Sequence, residues 1–165
     1  MRRMAAFGAS LFALACAHSA APASTLPTPT TTTTTLPPPT GIVERTTFDT
    51  SLAVHLESMS RRASGLYVKD LRVGTGGVAL PGKSVVVRYI GWLPSGKQFD
   101  QGEITVTLGS NKTIAAWEEG VLGMRVGGVR QLVVPPNLAY GDKGAGNDIP
   151  PNSVLVFEMQ LMSAL

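Results

Sequence analysis

Ser84-Val85-Val86-Val87-Arg88-Tyr89-Ile90-Gly91-Trp92-Leu93, then Pro94-Ser95-Gly96-Lys97, then Gln98-Phe99-Asp100, is the stretch on which the fold turns. Its first ten residues are β-branched and aromatic, as a strand requires, and the Pro-Ser-Gly-Lys that follows reads as a hairpin turn. Ile104 to Leu108 alternates apolar and polar residues and supplies a further strand. Thr113 to Leu122 changes period: Ile114, Trp117 and Val121 fall on one face of a helix. Val129 to Val134 and Val154 to Met162 return to strand character, and Leu66-Tyr67-Val68 with Leu71-Arg72-Val73 provides strand material upstream. Strands, then one short helix, then strands again predict an α+β domain, an antiparallel sheet wrapped around one short α-helix. Pro135-Pro136 and Pro150-Pro151 bound a long Gly-rich loop between the last two strands, of a length that in a compact domain is usually functional or disordered.

Upstream of residue 65 the character changes twice. Thr47 to Arg62 carries Phe48, Leu52, Leu56 and Met59 at spacings of one helical face, with Thr50 or Ser51 as cap and Gly65 beyond the end. Residues 42–64 are therefore expected to form an N-terminal helical extension that packs on the main domain or a partner. Residues 16–41 include Thr30 to Thr35 and Pro37-Pro38-Pro39, a composition that builds no core and reads as an extended tether.

Residues 1–15 open with Arg2 and Arg3 and continue as twelve uncharged residues from Met4 to Ala15. That run is shorter than the roughly 20 residues of a membrane-spanning helix and has the form of an export signal peptide. Cys16 follows it and is the only cysteine in the chain, so it has no internal disulfide partner. Small residues before it resemble a bacterial lipoprotein signal, in which Cys16 is the lipid attachment site and anchors an exported, periplasmic protein to a membrane. The alternative is a soluble secreted protein cleaved after Ala17 or Ala20.

Charge and composition exclude several classes of function. Residues 65–165 carry nine Lys/Arg against eight Asp/Glu, so the domain offers no electrostatic case for nucleic acid. There is no cysteine pair, and His18 and His55 stand apart from any cluster of metal ligands or candidate nucleophile, so no metal is expected. Gly74-Thr75-Gly76-Gly77-Val78-Ala79 imitates a dinucleotide fingerprint but precedes a strand instead of a helix, and no cofactor is expected.

What stands out is a set of aromatic and apolar residues at strand and turn boundaries, with one carboxylate. Val85 to Leu93, Gly96 to Asp100, Thr107-Leu108-Gly109, Ile114 to Val121, Met124 to Gly128, Ala139-Tyr140-Gly141 and Ile149 to Phe157 occur in that order over about 100 residues. This ordered set resembles the FKBP family of peptidyl-prolyl cis-trans isomerases. By spacing alone Trp117 belongs to a core face and Tyr89, Phe99 and Phe157 to a sheet core, while Tyr140, in a loop, is the least core-like. The resemblance implies instead a pocket for the proline of an X-Pro bond, with Tyr89, Phe99, Asp100, Trp117, Tyr140 and Phe157 as its catalytic residues. Trp117 would be the floor and Tyr89, Phe99 and Phe157 the aromatic walls. Ile104, Thr113, Ile114 and Ile149 would bind substrate, and the Ile114 N–H and Tyr140 hydroxyl would donate to substrate carbonyls.

The same resemblance implies proline-containing unfolded or exported polypeptides as partners, and macrolide inhibitors of the family as ligands. A non-catalytic chaperone or peptide-binding module of this fold is the alternative, and a lipoprotein binding a small apolar molecule a third reading. The chain departs from the family pattern at three places. Only three residues separate Asp100 from Ile104, where the family commonly has a longer bulged segment with an arginine that meets the aspartate; Glu103 is near instead. Ile104 stands where an aromatic is frequent, and Ala145 and Asp148 occupy loop positions that are often larger or apolar.

Overall fold

The β-branched, aromatic stretch forms the strand next to one edge of the sheet. In a computed structural model describing residues 42–165, Ser84–Trp92 (β3) pairs on both sides. Gln98–Thr107 (β4) lies on one flank and Leu155–Ala164 (β6) on the other, both antiparallel. Val85 and Val87 are almost wholly buried, as the strand's alternation requires. The remaining strands are Ser60–Arg61 (β1), Tyr67–Arg72 (β2) and Val129–Val134 (β5), and the six-stranded sheet runs β1-β2-β5-β6-β3-β4. Every pair is antiparallel. Ala115–Val121 (α1) is the one α-helix among the described residues, and short 3-10 turns occur at Thr50–Leu52, Leu56–Ser58 and Pro136–Leu138. The expected α+β architecture is the one found. The stretches expected to be an export signal and a tether, and Cys16 with them, lie outside the described residues.

The sheet carries apolar side chains on both faces. Val85, Val87, Leu132, Val134, Leu155, Phe157, Met159 and Leu161 pack against Ala116, Trp117 and Val121 of α1 in the main core. On the other face Tyr67, Val133, Val154 and Val156 form a second cluster with Val43, Leu52 and Met59. A strand buried on both faces needs no strict alternation, which explains the apolar runs Leu132-Val133-Val134 of β5 and Leu155-Val156-Phe157 of β6.

The N-terminal extension corrects the helical expectation. Instead of one helix over Thr47 to Arg62, it forms two single 3-10 turns separated by Ala53 in the left-handed region (φ 48°), then extends into β1. Its backbone groups are used elsewhere: the Asp49 N–H donates to the Pro94 carbonyl (2.8 Å), and the Leu52 carbonyl accepts from Gln131 Nε2 (2.7 Å). The anticipated apolar residues nonetheless face the domain, Leu52 and Met59 buried and Phe48 and Leu56 partly so. Gly65 does not cap a helix; at φ 93° it sits in the turn joining β1 to β2.

Candidate active site

Beside α1 the main core opens into a cavity of about 630 Å³, within the size range of small-ligand sites. Three strands, the helix and two loops supply its walls. Register places Tyr89 opposite Gly102 and Val87 opposite Ile104, so Tyr89 of β3 and Asp100 and Ile104 of β4 share the helix-facing side. Gly91 faces Phe157 of β6 across the β3–β6 pair. α1 contributes Trp117, and the loop after the 3-10 turn at Pro136–Leu138 contributes Ala139 and Tyr140.

The aromatic rings meet edge to face. Tyr89 and Trp117 lie 4.5 Å apart between centroids, Trp117 and Phe157 5.5 Å, and Phe99 and Phe157 5.7 Å, with interplanar angles of 62°, 90° and 87°. Such pairs favour this arrangement because the electropositive ring edge meets the electron-rich face. Gly91 makes room for it: a Cβ there would stand 2.7 Å from the Phe99 ring and 2.8 Å from the Phe157 ring.

Polar groups are few and specific. The Tyr89 hydroxyl donates to Asp100 Oδ2 (2.8 Å), and Asp100 Oδ1 accepts from the Gln101 N–H (2.8 Å). Burial, reinforced by the Asp100 carboxylate, pushes the Tyr89 phenol up to about 12. Burial and the Asp100 charge also raise Tyr140, so both hydroxyls are protonated donors throughout the neutral range. Asp100 therefore has a tyrosine and a backbone N–H as partners where the family pattern offers arginine. Glu103 does not face it: one residue out of phase on β4, Glu103 pairs with Arg88 at 3.4 Å. The Ile114 N–H, at the start of α1, makes no hydrogen bond among the described residues. Trp117 Nε1 is likewise buried without a protein partner among them.

Nine of the ten residues singled out from the sequence line this cavity: Tyr89, Phe99, Asp100, Ile104, Thr113, Ile114, Trp117, Tyr140 and Phe157. Ile149 does not. Its side chain is buried in the main core, and its N–H and C=O exchange hydrogen bonds with Ala145 (3.1 and 2.9 Å), fastening the loop from behind. The loop is held at its other side by Asp148, whose carboxylate meets Lys97 Nζ of the β3–β4 turn at 2.9 Å. Asn111, Lys112, Ala115 and Ala139 also line the cavity and were missed. The first two precede Thr113 in a loop whose composition carries no signal, and the alanines are neighbours of singled-out residues.

Comparisons with known proteins agree with this fold. Residues 76–162 match the family described as FKBP-type peptidyl-prolyl cis-trans isomerase. An FK506-binding protein of Neisseria meningitidis serogroup B is 43% identical over 103 residues, spanning 59% of this chain and 94% of that protein. The 46 kDa FK506-binding nuclear protein of Spodoptera frugiperda is 47% identical over 104 residues, 60% of this chain and 25% of that one. Among solved structures, a peptidyl-prolyl cis-trans isomerase from Pseudomonas syringae pv. tomato superposes with a TM-score of 0.60 at 36% identity, covering 65% of this chain and 80% of its own. FkpA from Escherichia coli gives a TM-score of 0.60 at 33% identity, covering 70% and 55%. With the sheet, the helix and the ordered motifs in agreement, the chain belongs to the FKBP-type peptidyl-prolyl cis-trans isomerase family.

Proposed function

We propose that the aromatic cavity is where this isomerase turns X-Pro bonds, and that it does so on exported polypeptides. The observation that carries the reading is the box of Tyr89, Phe99, Trp117 and Phe157 with two hydrogen-bond donors, the Ile114 N–H and the Tyr140 hydroxyl, among its lining residues. Rotation about the prolyl bond is slow because amide resonance must be broken, at roughly 18–20 kcal/mol. In the twisted state that resonance is gone and the amide is less polar. Water solvates the planar ground state best, so an apolar box favours the twisted state relative to water. The two donors fix the flanking carbonyls while Trp117 supports the ring. Each ~1.36 kcal/mol removed from the barrier gives a tenfold rate, so the chemistry calls for no nucleophile or general acid. The same box is a place for the macrolide ligands of the family.

The test is exchange-NMR or protease-coupled isomerisation of X-Pro peptides with the wild type, Phe99→Ala and Asp100→Leu. Both substitutions should lower kcat/KM at least tenfold while the fold is retained. Rates unchanged from the wild type would move the reaction elsewhere, and rates equal to the uncatalysed exchange in the wild type would leave only a binding module. Export and membrane attachment are part of the proposal, supported by the Arg2-Arg3 start, the uncharged run and Cys16. Detergent-phase partitioning that is lost in Cys16→Ser supports the anchor; partitioning equal in both variants removes it.

A further inference from the structure

The cavity is electrostatically lopsided. Two charged side chains line it, Asp100 and Lys112. Asp100 is engaged, accepting from the Tyr89 hydroxyl and the Gln101 N–H. Lys112 has neither an ion pair nor a hydrogen bond among the described residues. Asp142 and Lys143, just past Tyr140, have no ion pair or hydrogen bond among the described residues but do not line the cavity, and other charges are committed elsewhere. Lys97 and Asp148 hold each other, Glu103 holds Arg88, and Glu118 Oε2 accepts from the Gly109 N–H at 2.9 Å. That last bond ties the β4–α1 loop to the helix, and the Ser110 N–H closes a turn on the Thr107 carbonyl (3.1 Å). Asn111, in the left-handed region at φ 53°, then turns the chain into Lys112. The ammonium is thus carried by a braced loop two residues before the unpartnered Ile114 N–H.

We propose that Lys112 is a specificity-determining residue that selects substrates with an acidic side chain next to the proline, on the side bound by Ile114. The inference rests on the cavity being the isomerase site. A carboxylate there would meet an uncompensated ammonium, whereas a lysine would be repelled. On the β4 side of the lining the Asp100 carboxylate gives the reverse sign. Polarity across the cavity therefore ranks the residues flanking proline by charge, which an uncharged aromatic box cannot do. Exposed ion pairs are weak and screened by salt, so the discrimination is modest and salt-dependent.

The test uses the described domain in its full chain and two peptide sets, with Glu, Leu or Lys either immediately before or immediately after proline. Isomerisation is followed by exchange NMR, which needs no coupling protease. At about 50 mM salt, kcat/KM for Glu over Lys should be about two- to fivefold at one of the two positions, the size of a surface ion pair. The ratio should fall towards one at 1 M salt, fall in Lys112→Gln, and invert in Lys112→Glu. Because each ratio compares two peptides on one protein sample, partial loss of folded protein cancels. A Glu-to-Lys ratio that is the same in wild type, Lys112→Gln and Lys112→Glu overturns the inference. No acceleration of any peptide by the wild type overturns the proposed function instead, so the two failures are distinct.

Discussion

At the residue scale, the cavity depends on one missing side chain and one shifted phenol. Gly91 is wedged between the rings of Phe99 and Phe157, and neither ring can bend away as a flexible chain end would. Gly91→Ala is expected to destabilise the domain by roughly 1–3 kcal/mol, the usual cost of overpacking, and to lower X-Pro turnover with it. Urea melts beside exchange NMR measure both. Tyr89 carries a pH signature. Its phenol is raised from 10.0 to about 12 by burial and by its bond to Asp100, so the folded state favours the protonated form. The resulting stability is fully present below pH 10 and is lost as pH rises through about 12. Ultraviolet phenolate titration should therefore show a tyrosine ionising near 12 that disappears in Tyr89→Phe, with kcat/KM unaffected by phenol ionisation between pH 6 and 9. Side chains that act by identity, Trp117, Phe99 and Tyr140, were legible because their types and order match a family. Gly91 lies within the Val85 to Leu93 stretch, but its steric role does not show there, because that role exists only once two aromatics are brought beside it.

At the element scale, strands and helix followed from period and composition, while boundaries and connections followed from tertiary partners. The strand expected at Ile104 to Leu108 begins at Gln98, because β4 pairs with β3 from Trp92 to Ser84, with one register shift between Gly91 and Trp92 that leaves Phe99 unpaired, and carries Asp100 and Gly102 within it. The residues trimmed after Asp100 leave a strand running straight through the region. Arg130 shows how the elements are joined. Its guanidinium, nearly buried in β5, donates to Asp70 on β2 (2.6 and 3.0 Å) and to the Gly120 and Leu122 carbonyls at the end of α1 (2.8 and 3.2 Å). Helix carbonyls there have no intrahelical partner, and the arginine fills that need. The two ends of the ion pair are not equivalent. Asp70 is 42% exposed and water can replace its partner, whereas the arginine side chain is 9% exposed. Asp70→Ala, which strands a buried charge, is expected to cost about 3 kcal/mol. Arg130→Met, which removes that charge, should cost about 1–2 kcal/mol. Denaturant unfolding of both single variants checks the order; a larger loss in Arg130→Met would mean that the carbonyl bonds dominate.

At the scale of the whole molecule, the extension and the cavity lie on opposite faces of one sheet, so stability and activity should separate. Leu52 is buried beneath the extension, against β5 and β6 and away from the aromatic box. Leu52→Ala is expected to lower stability by about 2–3 kcal/mol and to leave isomerisation at 25 °C unchanged in the folded protein. The spacing of Phe48, Leu52, Leu56 and Met59 made this packing legible, and the helical geometry it suggested was wrong because β5 and the β3–β4 turn claim the backbone groups. No sequence pattern pointed to Glu44, which fastens the extension to the sheet edge. Its carboxylate accepts from the Tyr67 hydroxyl and sits 3.3 Å from Arg61 Nε. Burial pushes that carboxyl up, but the bonds from Tyr67 and Arg61 outweigh it and hold it below its ordinary 4.5. A lowered carboxyl stabilises the folded state above its unfolded value and loses that contribution as pH falls below it. Acid should therefore loosen the extension before the sheet unfolds. Trp92 packs in that second cluster while Trp117 lies in the cavity, so fluorescence in a Trp117→Phe background reports on the extension alone. Its emission should shift below pH 4.5 in a protein with Glu44 and vary less with pH in Glu44→Gln, which keeps the shape but not the charge. An identical acid transition in both would place the pH dependence in other carboxylates and leave Glu44 a neutral part of the packing.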